Sequence, residues 1–137
     1  MSKFAGLGLA VDTPFIVRLV HPISGVPLIN KETNDPATIS ILGADSEAAL
    51  RFNREILTRR LSARNRRVAT ADEIETERVE LLARLTKAWV LVDLDGNGLS
   101  IECNESNARE LYASPPLRWL REQVEAAIDD RGNAQRA

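Results

Sequence analysis

The feature that most constrains this chain is Asp95-Gly96-Asn97-Gly98, set between the apolar run Trp89-Val90-Leu91-Val92 and an alternating stretch in which Leu99, Ile101 and Cys103 exchange with Ser100 and Glu102. Asn-Gly and Asp-Gly pairs tolerate the positive φ angles of tight hairpin turns, and alternation places every second side chain on one face. A hairpin is therefore predicted late in the chain. What precedes it is helical, so strand and helix must share one fold.

Strand signals return in the N-terminal third. Phe15-Ile16-Val17-Arg18-Leu19-Val20 is rich in β-branched and aromatic residues and too short for a helix. His21-Pro22-Ile23-Ser24-Gly25-Val26-Pro27 breaks it with a turn, and Val26 to Ile29 and Ala37 to Leu42 are further short apolar runs around the polar, turn-rich stretch from Asn30 to Pro36. This third reads as a small antiparallel β-meander.

Between the two β regions the period changes. Asp45 or Ser46 can accept hydrogen bonds from the free amides of a first helical turn, and Ala49, Phe52, Ile56, Leu57 and Leu61 follow at helical spacing. Thr70-Ala71-Asp72-Glu73 has the form of a capping box, opening a second helix with Ile74, Arg78, Leu81, Leu82, Leu85 and Trp89 on one side and Glu75, Glu77 and Glu80 off it. After the hairpin, Asn104 can cap a short helix carrying Ala108, Leu111 and Tyr112. Ser114-Pro115 then reads as the start of a last helix with a stripe of Leu117, Leu120, Val124, Ala127 and Ile128. The expected class is α+β: a small N-terminal antiparallel β-meander, then a mainly helical region with one short β-hairpin. Residues 1–14 read as a flexible lead, since small residues dilute their apolar run and no Ala-x-Ala site follows, residues 15–130 as one domain and residues 131–137 as a frayed tail.

Composition narrows the function classes. The 137 residues suit one domain, and 18 basic against 20 acidic residues leave a net charge of -2, so no global field draws the chain to nucleic acid or anionic lipid. No run reaches the roughly 18 to 20 apolar residues of a membrane span. Cys103 is the only cysteine and His21 the only histidine, which excludes an internal disulfide and a multi-thiolate metal site and gives Cys-His catalysis a poor start. His21 reads as a turn residue and Cys103 as a small core residue. Neither catalytic nor metal-ligating residues are expected, and no cofactor.

Two constellations are weighed against simpler roles. Asp93, Asp95 and Asn97 with Gly96 match the first half of an EF-hand loop, but Ser100 and Asn104 stand where that loop needs a core aliphatic and a bidentate glutamate, so a plain turn is favoured over a calcium site at 93–104. Arg51, Arg54, Arg59, Arg60, Arg64, Arg66 and Arg67 form a basic group that could face phosphates, yet acidic residues from Asp72 to Glu80 compete for them and only Phe52 is aromatic nearby. A helix-to-helix connection paired with its acidic neighbour is the favoured reading. Of the two tryptophans, Trp89 is assigned to the core. Trp119, between Arg118 and Arg121, is the better interface candidate of the two.

Two segments together carry a resemblance. Phe15 to Pro22 with Gly25 and Pro27, then Ile39-Ser40-Ile41-Leu42-Gly43-Ala44-Asp45-Ser46, is similar to the opening of small proteins encoded among tail genes of long-tailed bacteriophages. Trp89, Asp95-Gly96, Glu105-Ser106-Asn107-Ala108, Leu111-Tyr112 and Pro116-Leu117-Arg118-Trp119-Leu120-Arg121-Glu122-Gln123-Val124 then resemble, in that order, the tail assembly chaperone family of siphophages and prophages. The resemblance spans about residues 15 to 130; the final Gly132 to Ala137 lacks the aromatic expected there. It implies a non-enzymatic protein of the host cytoplasm, absent from the mature virion, that transiently holds the tape-measure protein and helps recruit the major tail protein. A homo-oligomer stays open. Holding another chain needs an exposed amphipathic face, which the last helix offers in Leu117, Arg118, Trp119, Leu120, Arg121 and Val124. The alternatives are a structural virion component, such as a tail-completion or connector subunit, and the calcium module.

Overall fold

The computed structural model describes residues 12–62 and 69–136. The elements run β1 (Phe15–Arg18), β2 (Thr38–Ile41), α1 (Glu47–Ser62), α2 (Ala71–Leu85), β3 (Thr86–Val92), β4 (Gly98–Leu99), α3 (Glu105–Ala113), a 3-10 turn (Pro115–Leu117) and α4 (Arg118–Arg136). The four strands form one antiparallel sheet in the order β1-β2-β3-β4, so the class is α+β. The hairpin is thus no separate feature of the helical half: β3 pairs with β2, and the α1–α2 pair is an insertion between neighbouring strands.

The run from Val26 to Ile29 makes only isolated bridges, Val20 with Pro27 and Ile29 with Pro36. Each bridge contains a proline, which has no N–H to give, so neither can grow into a ladder. Leu28 is nevertheless held between its neighbours, donating to the Leu19 carbonyl at 3.1 Å and accepting from Ala37 N–H at 2.8 Å. It is buried there. The preceding turn is organised by His21, whose Nδ1 accepts from Ile23 and Ser24 N–H.

The register places Val17, Ile39 and Trp89 in one row across the sheet and Arg18, Thr38 and Val90 in the next. Val17 and Ile39 are buried in the core with Leu82, Leu85, Ala108, Tyr112, Leu120 and Val124 from the helices, whereas Ile16 and Val90 on the opposite face are exposed. Helices cover one face and leave the other open, the usual arrangement of an antiparallel sheet.

Caps fall where short polar side chains allow them. Ser46 Oγ accepts from Ala49 N–H at 3.3 Å, Thr70 Oγ1 from Glu73 N–H at 3.2 Å and Asn104 Oδ1 from Asn107 N–H at 2.7 Å. Ser114 makes no such side-chain bond; Pro115 opens a 3-10 turn before α4 instead. The apolar stripes need correction in both central helices. Ala49, Phe52 and Ile56 are buried, but Leu57 and Leu61 are 58% and 66% exposed, because α1 packs along a narrow line and these two lie well round the helix from it. In α2 the inward residues are Val79, Leu82, Ala83 and Leu85, while Ile74 and Arg78 face out. Trp89 belongs to β3, not to the α2 face, because the chain passes from helix to strand at Thr86 without a loop. Cys103 lies beyond the end of β4 and is half-buried rather than in the core, and burial pushes its thiol pKa up. Helix α4 continues through positions 131–136, where a polar tail was expected. The lead at 1–11 and Arg64, Arg66 and Arg67 lie outside the described residues.

Candidate functional site

The six residues read as a docking face on the last helix do not share a surface. Leu120 and Val124 are fully in the core. Arg121 is 5% exposed and turned inward, its guanidinium gripping the Glu75 carboxylate with both terminal nitrogens and donating from Nε to Glu125 at 3.1 Å. A guanidinium fork matches a carboxylate in this bidentate way, and its apolar stem packs as the helix descends. The clamp ties α4 to α2. The Arg121 hydrogen bond holds the Glu75 carboxyl below the usual glutamate range, and Glu75 raises the guanidinium pKa in turn. Trp119 is half-buried against the core, and Arg118 is exposed beside Glu122 at 3.6 Å. Burial therefore removes Leu120, Arg121 and Val124 from any exposed grip. The helical period predicted one amphipathic face; it could not show that α4 packs against α3 and β1 and is tied by Arg121 to α2.

Leu117 has a different place. With Trp89, Leu91 and Leu111 it lines a groove of about 200 Å³ between the hairpin and α3, with Ile101, Asn107, Glu110 and Ser114 beside them. Strand β3 delivers Trp89 and Leu91 at alternate positions, α3 delivers Asn107, Glu110 and Leu111 at i, i+3 and i+4, and the 3-10 turn brings Leu117 across. The wall is fixed by two bonds. Trp89 Nε1–H donates to the Ile101 carbonyl at 2.7 Å, and Asn107 Nδ2 donates to the Glu102 carbonyl at 2.8 Å. These tie the 100–104 segment to β3 at one point and to α3 at the other. Ile101 remains exposed at its lip. An apolar cavity of this size holds roughly one benzene-sized group, so the groove suits a single large side chain of a partner chain.

The other constellations resolve into turns and ion pairs. Asp93 Oδ1 accepts from Asp95 and Asn97 N–H at 2.9 and 2.8 Å, and the Asn97 bond first of all lowers its carboxyl pKa. The loop is flanked by strands, and Asn104 spends its side-chain oxygen capping α3, so the EF-hand pattern gains no further ligand from the fold. Among the described residues no group of three or more His, Cys, Asp or Glu is arranged to hold a metal, and no helix is long and apolar enough to cross a membrane. The arginines of α1 are partly tied to acids: Arg51 to Glu47 and Arg60 to Glu77, while Arg84 of α2 reaches back to Glu55 at 2.7 Å. Comparison of the chain with protein-family models, curated proteins and solved structures found no match.

Proposed function

We propose that the chain is a non-enzymatic tail assembly chaperone that transiently binds a tape-measure protein in the host cytoplasm, helps recruit major tail subunits and leaves before the virion matures. One observation supports this reading most. Four positions of the ordered series that resembles that family, Trp89, Asn107, Leu111 and Leu117, converge on one exposed apolar groove although they are spread over β3, α3 and the 3-10 turn. A groove that takes one side chain at a time gives the modest affinity that exchange with incoming tail subunits requires. The recognition chemistry is apolar contact with a polar rim, and no bond is made or broken.

Co-expression with the tape-measure protein tests it. The wild-type chain is expected to raise the soluble fraction of that client, and Ile101→Asp, which puts a charge on an exposed lip residue, is expected to abolish the gain while leaving the circular dichroism spectrum unchanged. A client equally insoluble with and without the chain would overturn the proposal. Mass spectrometry of purified virions gives the second arm. Stoichiometric presence there would replace the chaperone reading with a tail-completion or connector subunit.

A further inference from the structure

Helix α1 carries two apolar lines, and the fold uses only one. Ala49, Phe52 and Ile56 pack inward, while Leu50, Leu57 and Leu61 stand about half to two-thirds exposed. With Arg54 these leucines follow the spacing i, i+4, i+7, i+11, so all four lie along one line of the helix, about 16 Å in length. Among the described residues nothing covers it, and helix propensity alone would be served as well by lysine or glutamate. Heptad seams are built this way.

Its charge leans basic at Arg54. Arg54 lies within the line and makes no ion pair among the described residues, whereas the flanking Arg51 and Arg60 are paired with Glu47 and Glu77, and Glu55 is engaged by Arg84. We propose that the Leu50–Leu61 seam docks an acidic amphipathic helix of a partner protein, the leucines meeting its apolar stripe and Arg54 one of its carboxylates. A second copy of this chain is the poorer occupant, since past Glu47 its own seam presents leucine and arginine and offers Arg54 no counter-charge. None of these residues lines the Trp89 groove, so the seam stands apart from the tail-assembly reading.

The test uses the whole chain and a labelled synthetic helix of three heptads with leucine at a and d and glutamate at e and g, whose own charge opposes self-pairing, beside a version with lysine replacing glutamate. Fluorescence anisotropy is expected to show the glutamate peptide binding at about micromolar concentration, more weakly with added salt, and the lysine peptide at least about tenfold more weakly. Leu57→Asp is expected to lower affinity about tenfold or more, Leu50→Asp similarly, and Arg54→Glu to invert the preference between the two peptides. Because all three side chains are exposed, the variants should keep the wild-type melting temperature. Equal binding of both peptides, or binding unchanged by Leu57→Asp, would overturn the proposal. So would a wild-type dimer in sedimentation that Leu57→Asp dissociates, which would give the seam to a second copy.

Discussion

The side-chain amide of Gln123 is bonded to both polar groups of Val20, 103 residues away: Nε2 donates to the Val20 carbonyl at 2.8 Å and Oε1 accepts from its N–H at 2.9 Å. Leu19 sends its N–H to Ala37 and accepts from Leu28, so it faces the sheet, and alternate residues Ile16, Arg18 and Val20 face away from it. The side chain thus seals the end of the edge strand. Pro14 at the other end has no N–H to offer, which among the described residues leaves Ile16 and Arg18 as the open edge of β1.

Replacing that seal should be costly. Gln123→Ala is expected to lower unfolding stability by about 1–3 kcal/mol, the range for stranding partly buried donors and acceptors. Gln123→Glu should lose as much, because a carboxylate would face the Val20 carbonyl. Glu122→Ala, on the exposed side of α4, should stay within about 0.5 kcal/mol. Urea denaturation compares all three.

The Arg121–Glu75 clamp predicts a pH dependence. The Glu75 pKa is lower in the fold than its ordinary value of 4.5, so its stabilisation is present above that value and is lost as pH falls through the folded pKa. Glu75→Gln should flatten this acid limb and cost about 1 kcal/mol at neutral pH, a modest figure because Glu75 is half exposed and solvent screens the pair. Arg121→Met should be milder than Arg121→Ala, since methionine refills the space of the buried stem. Melting temperatures from pH 3 to 7, taken as roughly bracketing the glutamate range, check both.

A second relay gives an alkaline limb. Thr86 Oγ1 donates to the Leu82 carbonyl at 2.8 Å, so the 2.7 Å contact with Tyr112 Oη is a bond donated by the tyrosine. Burial pushes the phenol from 10.0 to about 12. The folded state therefore keeps the proton that the unfolded chain gives up, and stability should fall as pH rises from 10.0 toward about 12. Tyr112 is the only tyrosine, so tyrosinate absorbance reads it without interference. Thr86→Val should cost about 1–3 kcal/mol by orphaning the buried hydroxyl, Tyr112→Phe about 1 kcal/mol or less, and the double variant should recover part of the loss.

The hairpin turn predicts a backbone effect. Gly96 has φ +89, where L side chains are strained, and a Cβ there would lie 3.4 Å from the Ile29 carbonyl oxygen. Gly96→Ala is expected to destabilise by about 1 kcal/mol or more in urea unfolding. Ala44→Gly, at an exposed position outside the regular elements, should change stability by less.

Much of the fold was legible in short-range signals. Ser46, Thr70 and Asn104 cap the helices that their positions predict, because a cap is settled within about four residues. Apolar spacing located α1 and α2 and the buried residues Ala49, Phe52, Ile56, Leu82 and Leu85, but drew each stripe too wide: Leu57 and Leu61 satisfy the helical period as well as Phe52 and Ile56 do, and only tertiary packing distinguishes them. For the groove, Leu117 was marked, but on the strength of a helix face that the fold buries. Trp89, Ile101 and Leu111 were read as core, strand and helix residues with no hint that they meet.

By itself the sequence determined the order of strands and helices, the turn at Asp95–Gly98 and the presence of a single histidine and a single cysteine, since each depends on residue type or on neighbours a few positions away. Tertiary structure alone decided that the late hairpin joins the N-terminal sheet, that Arg121 turns inward to Glu75, that Gln123 closes on Val20, and that one leucine line of α1 stays in water. Those pairings span from a few tens of residues to a hundred, and at such separations neither period nor spacing along the chain records which surfaces will meet.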